Sequence, residues 1–304
     1  MRILVATDGS ARAEVAIDLV ASIDWPSPST IHVVEAVSSG LAVFGGPWPP
    51  VPPVDTSAFD DAIRAEAQTH LDAAAQRLAA SDRTIEASIA SGRAADVITS
   101  IAADREADLI VVGSRGHGTL ESMLLGSVSA EVVDRAHVPV LVARARAIGR
   151  VIFAWDGSDG AGQAAALLTA WGIFRASEIR VVSVADAAAP WWVDAGMVGE
   201  EAAAEAYARA AEPSRQQHAQ MAQEMVDRLA ESGLRAEPEC RDGDPAEQIL
   251  QAAEAAAADL VVVGTHGRTG LSRLLMGSVA RNVLNHAPCS VLVVRAHAAE
   301  EALG

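Results

Sequence analysis

Short apolar runs recur along the chain, separated by alanine-rich stretches with helical spacing. The first half holds RILVAT (Arg2–Thr7), TIHVVEAV (Thr30–Val37), TIEASIA (Thr84–Ala90), DLIVVG (Asp108–Gly113) and PVLVA (Pro139–Ala143). The second half holds RVIFAW (Arg150–Trp155), EIRVVSVA (Glu178–Ala185), LRAEPEC (Leu234–Cys240), DLVVVG (Asp259–Gly264) and SVLVV (Ser290–Val294). Runs of this length, rich in Val and Ile and bounded by turn residues, predict strands. Ala58–Ala80 and Arg93–Arg105 lie between them and predict helices. Strand–helix alternation implies βαβ units around a parallel sheet. DLIVVG and DLVVVG are apolar almost throughout, as strands buried on both faces are. The expected fold class is α/β, with two tandem doubly wound domains, each a five-stranded parallel sheet flanked by helices.

The two halves are copies. RILVATDGS (Arg2–Ser10) matches RVIFAWDGS (Arg150–Ser158), and ADLIVVGSRG (Ala107–Gly116) matches ADLVVVGTHG (Ala258–Gly267). GSVSAEVVDRAHVPVLVAR (Gly126–Arg144) matches GSVARNVLNHAPCSVLVVR (Gly277–Arg295) without a gap. A period of half the chain means two domains, expected over 1–146 and 147–304, whereas solenoid repeats are far shorter. Ala145–Gly149 makes a short join. Each copy also carries an insert after its second strand, Ser38–Val54 and Asp186–Glu201. Trp48 lies in one and Trp191 and Trp192 in the other. Either insert could close over a ligand or tuck its aromatics away as an ordinary loop.

Charge and composition narrow the partners. The formal net charge of −17 opposes nucleic acid and anionic membranes. All 23 basic residues are arginine, which excludes a P-loop lysine and a Schiff-base lysine. Cys240 and Cys289 are the two cysteines, in no zinc or redox spacing, and suit free thiols in a reducing compartment. The chain opens on a strand pattern, and no apolar stretch has the length of a membrane helix. A cytoplasmic protein is expected.

The candidate chemistry lies in GSRGHGTLESMLLGS (Gly113–Ser127) and GTHGRTGLSRLLMGS (Gly264–Ser278). Their glycines share one spacing: Gly113, Gly116, Gly126 and Gly264, Gly267, Gly277. Each stretch begins where a strand ends, at the sheet edge where open α/β folds bind ligands. Each ends at the start of a helix, whose free N–H groups attract anions. Glycine permits close backbone approach, and Ser127 and Ser278 add hydroxyls. The pattern suits a polyphosphate held by backbone and hydroxyls. Asp8 and Asp156 end the first strand of each copy. Each could accept a ribose hydroxyl, and each could make an Asx-turn with Ser10 or Ser158 as helix N-cap.

With these residues assembled, the chain resembles the universal stress protein family in its tandem form, over nearly all of both halves. The motif that carries the resemblance is G-2x-G-9x-G-(S/T), met twice. The resemblance implies sheet order 3-2-1-4-5 and an ATP between the first and fourth strands of each domain. It implies ribose contacts at Asp8 and Asp156. Phosphate contacts would fall on Gly113, Gly116, Gly126, Ser127, Gly264, Gly267, Gly277 and Ser278. Arg115, Val128, His266, Arg268 and Val279 lie within or beside the same loops. Adenine would be read by backbone at Val33 and Val184. Pairing through the last strand is implied, within the chain or in a homodimer. A magnesium ion with the triphosphate would be held largely by phosphate oxygens.

The copies differ in charge. The second has Arg268 and Arg273 as cations, while the first has His117 and Glu121. A carboxylate near a triphosphate repels it, with Arg115 as an offset, so the second site is expected to bind at least as tightly. No nucleophile elbow, dinucleotide fingerprint or metal cluster is present in the sequence. The expectation is an ATP-binding stress or regulatory protein, an enzyme at most through weak hydrolysis. The alternatives are a slow ATPase, a cyclic-nucleotide binder and a non-binding oligomeric scaffold.

Overall fold

The structure, a computed structural model, describes residues 1–38, 57–80, 82–114, 125–185, 199–265 and 276–295. The chain divides into two compact units, Met1–Ala147 and Ile148–Gly304. The first contains β1 (Arg2–Thr7), α1 (Ala11–Ser22), β2 (Ser29–Val37), α2 (Ser57–Leu78), β3 (Arg83–Ser91), α3 (Ala94–Asp104), β4 (Leu109–Gly113), α4 (Ser127–Arg135) and β5 (Val140–Ala143). The second contains β6 (Arg150–Ala154), α5 (Asp159–Ala170), β7 (Glu178–Ala185), α6 (Glu200–Glu231), β8 (Arg235–Asp242), α7 (Pro245–Ala255), β9 (Leu260–Gly264), α8 (Ser278–His286) and β10 (Ser290–Val294). The expected fold class is what is seen.

Strand order is β3-β2-β1-β4-β5 in the first unit and β8-β7-β6-β9-β10 in the second. All the pairs within each unit are parallel. The order reverses between β1 and β4, and again between β6 and β9. Such a reversal opens a crevice at the carboxyl ends of those two strands.

Burial follows the sequence pattern. Ile3, Leu4, Val5, Leu109, Ile110 and Val111 are sealed from solvent, as are Ile152, Phe153, Leu260 and Val261. At roughly 1.5–3 kcal/mol per large buried side chain, these central strands carry much of each unit's stability. β8 is half exposed and contains Pro238, which pairs with Val181 of β7. Proline cannot donate to a ladder and is tolerated at a sheet margin, where β8 lies in its unit.

The repeated Ala-Asp-Leu has a structural cause at the amino ends of the strands. Asp108 accepts the Arg2 N–H at 2.6 Å, and Asp259 accepts those of Gly149 and Arg150 at 3.0 and 2.9 Å. Each aspartate ties the start of the first strand to that of the fourth.

Candidate nucleotide site

The first strand of each unit ends in an aspartate turn. Asp8 Oδ1 accepts the Ser10 N–H at 3.0 Å, and Asp156 Oδ1 accepts the Ser158 N–H at 3.0 Å. Ser10 and Ser158 then cap α1 and α5, accepting the N–H of Ala13 at 3.2 Å and of Ala161 at 3.3 Å. The Asx-turn and N-cap expected from the sequence are both present. Gly9 and Gly157, at φ 72° and 75°, supply the left-handed residue each turn needs.

The fourth strand ends beside that turn. Ile3 pairs with Leu109, so Thr7 is level with Gly113. A Cβ on Gly113 would come within 2.8 Å of the Arg12 backbone. One on Gly264 would come within 2.5 Å of Gly160 and 2.8 Å of Ala161. The first glycine of each motif therefore lets the next helix press its opening turn onto the strand end.

The two ends of each glycine loop are tied together. Gly126 donates its N–H to the Ser114 carbonyl and Gly277 to that of Thr265, both at 2.7 Å. A Cβ on Gly277 would lie 3.1 Å from the Thr265 oxygen, so the third glycine keeps this closure tight. Gly126 and Gly277 are the N-caps of α4 and α8, with no side-chain cap on either helix. Ser127 and Ser278 are the first helical residues and are exposed, as is Val128, while Val279 is half-buried. Opening N–H groups that no side chain caps, beside exposed hydroxyls, form a ready place for an anion. In the first unit Ser129 Oγ also donates to the Gly113 carbonyl at 2.6 Å. Its counterpart in the second unit is Ala280.

The remaining candidates divide in three. Arg115, Gly116, His117, Glu121, His266, Gly267, Arg268 and Arg273 lie outside the described residues, as do Trp48, Trp191 and Trp192. Val33 and Val184, expected at equivalent places, are not equivalent. Val5 pairs with Val33 and Phe153 with Val181, so the counterpart of Val184 is Ala36. Val33 lies mid-strand between Val5 and Ala87. Ala36 and Val184 instead lie past the last pair with the first strand, at Thr7–Glu35 and Ala154–Val182. Arg12 was not anticipated; it brings a cation to the opening turn of α1, where the second unit has Gly160, next to Asp159. Its signal was its place two residues beyond the capping serine.

A cluster of ionisable groups backs the first turn. Glu35, at the end of β2, faces His70 of α2, with Nδ1 3.1 Å and 3.2 Å from the carboxylate oxygens. The far edge of the His70 ring covers the Gly9 Cα. Burial pushes the Glu35 carboxyl up from its ordinary value, Asp8 and Glu66 push the same way, and His70 opposes them. In the second unit Ser183 takes the place of Glu35, Trp155 lies beside it by register, and Met221 covers Gly157 with Cε 2.7 Å from a Cβ placed there. A shallow cavity of about 180 Å³ opens at the opposite end of the first sheet, lined by Arg2, His32, Glu86 and Arg105 among others. Its position at the amino ends of the strands separates it from the glycine loop. Among the described residues no cluster of His, Cys, Asp and Glu could hold a metal ion, and no helix is long and apolar enough to cross a membrane.

The fold defines a doubly wound protein whose strand order reverses between β1 and β4 and between β6 and β9. The profile of the universal stress protein family matches residues 1–144 and again 147–295, and the chain belongs to that family. A universal stress protein of Mycobacterium tuberculosis is 28% identical over 301 residues, covering 96% of each chain. One of Methanocaldococcus jannaschii is 47% identical over 77 residues, 25% of this chain and 45% of that one. The crystal structure of a universal stress protein from Archaeoglobus fulgidus shares the fold, with a TM-score of 0.67 at 19% identity, covering 97% of this chain and 98% of that one.

Proposed function

We propose that the chain is an ATP-binding regulatory protein of the universal stress response, with one nucleotide site in each unit. The observation that carries this reading is the same assembly at two crevices. A helix N-terminus without a side-chain cap, a loop closed by a glycine N–H and an aspartate turn meet at one sheet edge. Phosphates would lie on the N–H groups and hydroxyls of Ser127 and Ser278, with Gly116, Gly267, Arg115, His266 and Arg268 of the same motifs as further contacts. Ribose would meet Asp8 and Asp156 through the carboxylate oxygen not engaged with the serine N–H of the turn. Adenine would be read by backbone at Ala36 and Val184. Magnesium, where present, would be carried by the phosphates. Occupancy would then set how the loops present themselves to a protein partner in the cytoplasm, with two chains associating as a homodimer.

The test is to denature freshly purified protein and to identify and count what is released. Two adenine nucleotides per chain, falling to one in Gly267→Val/Gly277→Val and to one in Gly116→Val/Gly126→Val, are expected. Release of none, with no binding of added ATP, ADP, AMP or cyclic AMP, would overturn the assignment. Chiefly ADP would call for a turnover assay.

A further inference from the structure

The two crevices share their backbone but not what lies beneath the aspartate turn. In the first unit the turn rests on a carboxylate–imidazole contact: Glu35 from β2 faces His70 from α2 at 3.1 Å, and the far edge of the imidazole covers Gly9. In the second unit the same place holds Ser183, Trp155 and Met221, none of which changes charge near neutrality. We propose that nucleotide binding in the first unit alone is coupled to proton uptake by the Glu35–His70 pair, so that its affinity for a polyphosphate rises as the pH falls. This rests on the reading of the crevice as a nucleotide site and names how that site is regulated.

The charges around the pair set the sign. Asp8 faces it from the β1–α1 turn, and Glu66 from α2 itself. α1 carries Arg12, Glu14 and Asp18, the last two beside Arg77 of α2. Across the sheet, β3 offers Ile89 opposite Glu35. With Glu35 and Asp8 ionised and the imidazole neutral, two negative charges lie beneath the turn. Each proton taken up removes one unit of negative charge below a bound polyanion. Imidazole is the side chain whose charge changes between about pH 5 and 8. Burial also raises the affinity of Glu35 for its proton, which extends uptake upward from the usual carboxylate range. One unit charge within about 10 Å, partly screened, changes affinity by roughly three- to tenfold.

The arrangement carries its own control. Protonation of the nucleotide itself affects both sites alike, but other histidines differ, with His218 buried one turn before Met221 in α6, so the pair is reported by what its replacement removes from the first site. The full chain with Gly267→Val/Gly277→Val retains the first site, and the chain with Gly116→Val/Gly126→Val retains the second. ATP affinity of each would be measured between about pH 5.5 and 8. The first site is expected to tighten by about three- to tenfold more than the second as the pH falls. Glu35→Ser/His70→Met puts the second unit's residues beneath the first turn and should remove that excess while binding persists. Ser183→Glu/Met221→His should create it in the second site. Glu35→Gln, which keeps an acceptor for the imidazole, should reduce it, and the imidazole titration of His70, followed by NMR, should shift on addition of ATP. An unchanged pH dependence of the first site in Glu35→Ser/His70→Met would overturn the coupling and leave nucleotide binding standing. Absence of ATP binding at every pH would instead remove the nucleotide reading and the coupling with it.

Discussion

The turns Asp8-Gly9-Ser10 and Asp156-Gly157-Ser158 are close to identical in sequence and hydrogen bonding, yet they rest on different chemistry. One lies over Glu35 and His70, the other over Met221 with Ser183 and Trp155 nearby. A duplicated domain keeps what the backbone demands: the left-handed glycine, the serine cap and the glycine at the end of the fourth strand. At the two glycine positions only glycine serves cheaply, because a side chain there is strained or collides with backbone. The residue that covers the turn from a long helix meets a softer demand, to fill space, and an imidazole or a thioether does so equally well. The two copies are free to diverge there, and a change at that position alters charge without altering fold.

The comparison breaks most sharply at the glycines that end the fourth strands. Gly264→Ala forces a Cβ to within 2.5 Å of the Gly160 backbone, against 2.8 Å from the Arg12 backbone for Gly113→Ala. Backbone cannot step aside as a side chain does. We expect a loss of about 3 kcal/mol for Gly264→Ala, near the top of the range for overpacking, and a smaller loss for Gly113→Ala. Urea unfolding followed by hydrogen exchange in β9 and β4 would rank the two, and equal losses would remove the distinction.

A second test uses the caps, where the units should agree. Ser10→Ala and Ser158→Ala each remove an N-cap acceptor and should cost about 1 kcal/mol. Ser158 should cost the more, because its hydroxyl also donates to Asp156 Oδ1 at 2.6 Å. Denaturant midpoints at constant slope would show this, and a costless Ser158→Ala would separate the units at a point where they look alike.

The smallest effect concerns the opposite end of the sheets. His32 in β2 is buried, with Nε2 2.8 Å from the Ser88 hydroxyl, and its counterpart in β7 is Arg180. Burial first, then Arg105, holds the His32 imidazole below its ordinary value, against the pull of Glu86. An imidazole with a lowered pKa in the fold takes its proton first in the unfolded chain. The stability it contributes is present above the unfolded value of about 6.5 and is lost as the pH falls through the lower folded value. Exchange protection in β1–β3 should therefore weaken through that window, and His32→Gln should flatten the loss. The β6–β8 ladder, with arginine in that place, should be unaffected by either change. Equal weakening in both ladders would assign the effect to other groups.

Much of this architecture was legible in the residues. The repeat, the alternation of strands and helices, the turns that follow β1 and β6 and the closing glycines before α4 and α8 all follow from local spacing. The strand order entered through the family resemblance. Two features escaped. Val33 and Val184 entered through the family resemblance, as one position near the end of strand two, whereas the ladders equate Val184 with Ala36. Arg12 lies outside the glycine motifs, and its nearness to Gly113 arises from two segments a hundred residues apart meeting edge to edge.

Local pattern by itself determined that the chain is two copies of an α/β unit with a glycine loop between a strand and a helix, since periodicity and turn chemistry act over a few neighbours. Tertiary structure alone decided what lies beneath each turn. Glu35 and His70 come from different elements, and their meeting depends on strand register and on which face α2 turns to the sheet. Neither is encoded in the neighbourhood of either residue; both are settled by how the whole unit packs.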